Sequence, residues 1–213
     1  MGKVEDNAIL AGLAGRTGRV VIRTRNGKEY SSIRPKKPKG ETSVIQVMIR
    51  QRMKDAVTFM ESYRKFACKY FGHTMGDKSR YNQAMSNILE SIKIDYDQKT
   101  VERDFKSIAF AKGLLPAMQL KEMNKTSDST ISIAWLKTTG DNPEYDSDKL
   151  QILIAPEDQY TSELTQDVAA RGSLNCDVEI SKEYQGKTLH IYAAFKSEDG
   201  KSVSNSKYLG SVS

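Results

Sequence analysis

Acid–base and nucleophilic chemistry near neutral pH need particular side chains, and this sequence holds few of them. Its only histidines are His73 and His190, the residue type whose ordinary pKa lies nearest physiological pH. His73 follows Gly72 just past an expected helix end, where a donor side chain helps the last free carbonyls. His190 falls on an expected strand, facing away from Leu189 and Ile191, and reads as an exposed strand histidine. Cys68 stands close enough before His73 to pair with it as nucleophile and base, yet its neighbours Phe66, Ala67 and Phe71 favour a structural role. Cys68 and Cys176 are both read as small buried hydrophobes. Their separation excludes a disulfide scaffold, and no Cys/His spacing fits a zinc site.

Carboxylates cluster at Asp95-Tyr96-Asp97 and from Asp141 to Asp148. Paired acids serve glycoside hydrolysis and divalent metals, but neither run has the central glycine and closing glutamate of an EF-hand. Asp, Asn, Pro and Gly are also what turns are made of, and turns are the preferred reading. Gly12, Gly15 and Gly18 give G-x-x-G-x-x-G, a spacing that lets backbone N–H groups approach phosphate oxygens. No strand precedes it, the Lys-Ser/Thr ending of a Walker loop is missing, and no helices flank it as in a KH domain. A glycine-rich arm that packs closely on another surface is the preferred reading. No catalytic, metal or cofactor residue is assigned, and an enzyme is not expected.

Charge is the stronger signal. The net charge is +6, and residues 1–54 hold 13 Lys and Arg against 4 Asp and Glu, while residues 55–213 hold 20 against 23. The basic set is Arg16, Arg19, Arg23, Arg25, Lys28, Arg34, Lys36, Lys37 and Lys39. Along a strand, positions 19, 21, 23 and 25 share a face, so three arginines would project together. Such a ribbon neutralises phosphates or meets an acidic protein. Tyr30 alone interleaves it, too few aromatics for base stacking. The plainer alternative is a charged, solvated strand edge that discourages aggregation.

Elements must position that ribbon. Val20–Ile22 and Tyr30–Ile33 flank Arg25-Asn26-Gly27-Lys28, a strong hairpin signal, and Arg34 to Gly40 reads as an extended linker with two prolines. Ser43 and Gln46 form a capping box for a helix over 44–71, with Ile45, Ile49, Met53, Ala56, Val57, Met60, Tyr63, Ala67 and Tyr70 on one apolar face. A second helix is expected over 79–92. From Phe105 the period falls to 2: Ile108/Phe110, Ile131/Ile133/Trp135, Leu150/Ile152/Ile154, Cys176/Val178/Ile180, Leu189 to Phe195, and Tyr208-Leu209. Short strands punctuated by turns predict a β-sandwich of immunoglobulin or fibronectin type. The fold class is therefore α+β, with a basic arm and hairpin over 1–40, a helical hairpin over 41–104 and the sandwich over 105–213.

No run nears the ~20 apolar residues of a membrane span. The N-terminus lacks the apolar core and cleavage site of a secretory signal, and Asp6 stands where a myristoylation motif needs Ser or Thr. A cytoplasmic protein, or one packaged in a virion assembled there, is expected.

Several segments look familiar together: Gly12 to Gly18, Ile33-Arg34-Pro35, Ser43-x-x-Gln46-x-x-x-Arg50, Lys112-Gly113-Leu114-Leu115-Pro116 and the strand bearing Trp135. The tail is the most specific, with His190-Ile191-Tyr192, Ser197-x-Asp199-Gly200-Lys201 and Ser204-x-Ser206-x-Tyr208-Leu209-Gly210. With these the chain resembles an uncharacterised family, common in Bacteroidota and their mobile elements, known as a domain of unknown function. Met53 stands where a bulkier aromatic is usual, and the hairpin lacks the usual tryptophan. The resemblance implies a fold rather than an activity. The expectation is a structural or interaction protein, such as a phage virion component, that docks on other subunits through its basic arm and is oligomeric. The alternative is a nucleic-acid-binding protein without base selection.

Overall fold

Hairpin chemistry sets the first element pair. β3 (Val20–Arg25) and β4 (Lys28–Ile33) run antiparallel from Val20↔Ile33 to Arg25↔Lys28, and Gly27 takes the positive φ of +72° that such a turn requires. The computed structural model describes residues 2–4, 13–25, 27–36, 40–137 and 143–213. Asn26, Gly12 and the expected turn residues 139–142 lie outside them. β1 (Gly2–Val4) and β2 (Gly15–Thr17) complete a sheet ordered β1-β4-β3-β2. The glycine-rich lead is thus partly a strand: β2 pairs with β3, and Gly18 and Arg19 turn between them. The chain divides into two compact units, Met1–Thr42 and Ser43–Ser213.

In the second unit, Ser43 caps α1 (Val44–Met60) by accepting the Gln46 N–H at 3.3 Å. The helix expected to run on to residue 71 breaks at Glu61, and α2 (Arg64–Tyr70) follows. The Phe59 carbonyl, which Tyr63 N–H would have reached in a continuous helix, accepts instead from Ser162 Oγ at 2.6 Å. A residue a hundred positions away thus satisfies a carbonyl at the break. Ser79 caps α3 (Arg80–Ser91) through Asn82 N–H. α3 leads into a short hairpin, β5 (Ile92–Asp95) and β6 (Thr100–Arg103). Asp95 Oδ1 accepts from the Asp97 and Gln98 N–H groups there, so this acidic run is a turn.

Seven strands follow: β7 (Leu120–Ser127), β8 (Thr130–Trp135), β9 (Lys149–Pro156), β10 (Glu163–Thr165), β11 (Asn175–Glu179), β12 (Leu189–Lys196) and β13 (Lys207–Val212). They form two antiparallel sheets, β11-β8-β7 and β10-β9-β12-β13. The first, second and fifth strands share one sheet, the third, sixth and seventh the other, and the fourth lies beside the third. That is the connectivity of a fibronectin-type sandwich, whereas in an immunoglobulin constant-type one the fourth strand would join the first sheet. The expected strand at Ile108/Phe110 is absent. Both side chains are buried, but the backbone there bonds Ser206: Phe110 N–H donates to its hydroxyl, and its own N–H donates to the Ala111 carbonyl. β7 was not legible in the sequence because it is an edge strand interrupted by two register shifts, with most of its side chains in water.

The four-stranded sheet is covered on both faces. Leu150, Ile152, Ile154, Leu189, Ile191, Ala193 and Phe195 point into the sandwich core with Ile131, Ile133, Trp135 and Val178. Their alternates Leu153, Ala155, Tyr192 and Ala194 pack against Phe59, Tyr63, Phe66, Ala84, Ile88 and Phe110 on and beside the helices. Each large apolar side chain buried this way contributes roughly 1.5–3 kcal/mol. No helix among the described residues is long and apolar enough to cross a membrane.

Candidate functional site

Three of the nine basic residues, Arg16, Arg23 and Lys28, share one face of the N-terminal sheet. Directly paired residues share a face, so the register Arg16↔Val21 and Arg23↔Tyr30 places Arg16, Val21, Arg23, Lys28, Tyr30 and Ser32 together. Ile22, Val20, Glu29 and Ile33 lie on the other. Val21 and Ile22 are the buried residues of this sheet among those described, while Arg16, Arg19, Arg23, Lys28, Arg34 and Lys36 are exposed. Arg19 does not extend the row as expected, because it occupies the turn before β3; its carbonyl accepts the Arg34 N–H at 2.8 Å. Arg16 and Lys28, from neighbouring strands, take its place beside Arg23. Lys37, Lys39 and the Arg25 side chain lie outside the described residues.

The groups that could do chemistry are dispersed. Cys68 is exposed rather than buried: α2 buries Phe66, Ala67 and Tyr70, and one residue past Ala67 the helix has turned about 100° toward water. Cys176 is half-buried between β-layers, and burial pushes its thiol up to about 12, the opposite of a reactive thiolate. Among the described residues no three His, Cys, Asp or Glu side chains form a group fit for a metal. His190 is buried, not exposed. Phe105 stacks on it at 3.6 Å, and its Nδ1 lies 2.9 Å from the Tyr208 hydroxyl. Because the helix-side face of β12 is covered, the alternation that should have exposed this ring instead seats it under Phe105. Burial lowers its pKa, Arg103 adds to that, and Glu157 opposes it.

One acidic residue of the 141–148 run is structural. Asp148 pairs with Arg171 at 3.1 Å, both side chains buried. Burial raises the Asp148 pKa against the pull of Arg171. Arg171 also stacks over Phe195 at 3.9 Å and donates to the Pro116 carbonyl, while its own carbonyl accepts from Trp135 Nε1. Buried charge, Trp and Phe here serve the sandwich core.

A surface that periodicity alone assigned to the core lies on α1. Ile45, Ile49, Met53 and Val57, four residues apart, are exposed, as are Val44 and Val47. The second half of the helix buries Asp55, Ala56, Phe59 and Met60. The exposed charged residues beside the stripe, Arg50 and Lys54, are basic. Arg52 is tied down by a bond to the Leu89 carbonyl, and the helix's sole acid, Asp55, is buried and accepts from Gln51 Nε2 at 2.6 Å. The available signal was the absence of exposed acid from this helix, where a solvated face normally mixes signs.

Fold and surfaces together define a fibronectin-type sandwich carrying helices on its outer sheet, joined to a basic four-stranded sheet. Within that class, the chain belongs to a family of unknown function (DUF6266), which it matches over residues 12–210. No curated protein and no solved structure matches it.

Proposed function

We propose that this is a non-enzymatic interaction protein, a subunit that joins an assembly by docking on an acidic protein surface. The observation that carries the reading is the uncovered stripe of α1, apolar along Ile45, Ile49, Met53 and Val57, flanked along its length by exposed Arg50 and Lys54 and met by an acid, Glu61, only at its C-terminal end. Contiguous apolar surface rimmed by charge marks protein contacts more often than enzyme sites. The flanking Arg50 and Lys54 disfavour a twofold pairing of this helix with itself centred on them, which would set cation against cation. They favour a partner with an acidic rim. The basic face of the N-terminal sheet supplies a second anionophilic surface of the same sign. A virion or other mobile-element particle assembled in the cytoplasm is the setting we propose, from the likeness of the sequence to mobile-element proteins.

A second reading rests on Arg16, Arg23 and Lys28 sharing one face: that sheet neutralises nucleic-acid phosphates without reading bases, each contact adding roughly 0.9 to the salt slope on duplex DNA. Light scattering of the full chain at low and high salt, with absorbance at 260 and 280 nm, separates the two. A discrete assembly free of nucleic acid, lost in Ile49→Asp with Met53→Asp, supports the docking reading. A monomer that carries nucleic acid at low salt, and loses it in Arg16→Ala, Arg23→Ala, Lys28→Ala, supports the second. A bare monomer at all salts, with no protein partner recovered, refutes both.

A further inference from the structure

A cleft of about 510 Å³ opens in the second unit where α2 ends and α3 begins, within the ~300–1,000 Å³ of small-molecule sites. Four cationic side chains line it: Lys69, Arg80, Lys112 and Lys201. Among the described residues no carboxylate does. Lys201 is partly answered from outside, its Nζ 3.3 Å from Asp199 Oδ2, an acid whose pKa is held down at about 2 by hydrogen bonds from Ser197 and the Lys201 amide. Three cations remain without an acid of the cleft to face them. Arg80 is anchored by a bond to the Lys69 carbonyl, and its Nε is buried with no protein partner.

We propose that this cleft binds a small organic phosphate. Like charges gathered in a recess repel unless an anion joins them. A phosphate monoester carries −1.5 to −2 at neutral pH, with three strong acceptor oxygens, and matches three cations better than a lone carboxylate does. The organic part is called for by the rest of the lining. Met75 and Leu114 are 69% and 89% exposed at the cleft, with Tyr70 and Val203 beside them. The walls are preformed. Gly72 N–H donates to the Lys112 carbonyl at 2.7 Å, Tyr70 Oη donates to the Gly200 carbonyl at 2.8 Å, and Gly113 N–H donates to Asn205 Oδ1 at 3.1 Å. The approach of residue 113 to residue 203 admits glycine alone, since a Cβ there would stand 2.0 Å from the Val203 carbonyl oxygen. Two segments that carry the family resemblance, Lys112–Pro116 and Ser197–Lys201, meet in these walls although some 85 residues separate them in sequence. The site is independent of the docking surfaces, and stands or falls without them.

The probe is phenyl phosphate, titrated into the full chain while backbone amide NMR shifts are followed. Saturable shifts at Gly72, Gly113 and Gly200 are expected, with binding weakened at least about tenfold in Lys112→Glu with Lys201→Glu. Both side chains are exposed, so the variant keeps its fold, which the unshifted remainder of its spectrum verifies. Inorganic phosphate should bind more weakly than phenyl phosphate. The proposal is overturned by an absence of saturation up to about 10 mM, or by equal affinity in the charge-reversed variant. Equal binding of the two probes overturns the organic half of the assignment.

Discussion

The two halves of α1 are built from similar residues and meet different surroundings. From Val44 to Lys54 the helix exposes nearly every side chain, with Met48 and Arg52 half-covered. From Asp55 to Met60 it buries Ala56, Phe59 and Met60 in the core shared with Tyr192 and Ala194 of β12. Periodicity marks a face that is able to be buried. What covers it is supplied by other parts of the chain, or by another molecule. The covered half takes its stability from tertiary packing, whereas the uncovered half rests on helix propensity and its cap, which are marginal over so short a length.

The contrast predicts unequal responses to substitution. Phe59→Ala, in the covered half, should cost about 3–5 kcal/mol in chemical denaturation; a cost as small as that of a surface change would mean the core is not formed there. Below this core lies His190, and its titration comes next. Its folded pKa is lowered by burial, so the unfolded chain takes up the proton first. Its contribution is fully present above the ordinary value of 6.5 and is lost as pH falls from there toward the depressed folded value. Denaturation midpoints should therefore drop through that window, and His190→Gln should flatten the slope. Ser43→Ala removes the cap and should cost about 1 kcal/mol, seen as faster amide exchange confined to the first turns of α1. Ile49→Asp with Met53→Asp should change global stability by no more than about 0.5 kcal/mol, while abolishing assembly. A large stability loss in that pair would show the stripe to be core after all.

What could be read from the sequence was what local chemistry decides. Ser43 and Ser79 cap the helices, Gly27 closes the hairpin, and Trp135 lies in the sandwich core with alternating strands on each side of it. What escaped depends on distant partners. The long helix breaks where Ser162, far along the chain, takes the Phe59 carbonyl. His190 is buried because Phe105 lies over it. Arg19 leaves the arginine row because a three-residue strand, too short to carry an alternation signal, turns there. The cleft was invisible for the same reason. Its cations are scattered from Lys69 to Lys201, each on its own an ordinary surface lysine or arginine, and only the fold brings them together.

The doubly covered sheet also has a consequence in time. During synthesis the helices are complete at residue 91, yet of the two strands that shield Phe59, Tyr63 and Ile88 from below, β9 begins at residue 149 and β12 only at residue 189. At about 5–20 residues per second, the ribosome leaves those aromatic and aliphatic side chains without their complete floor for several seconds. The newborn chain therefore exposes most apolar surface in the interval before β12 appears.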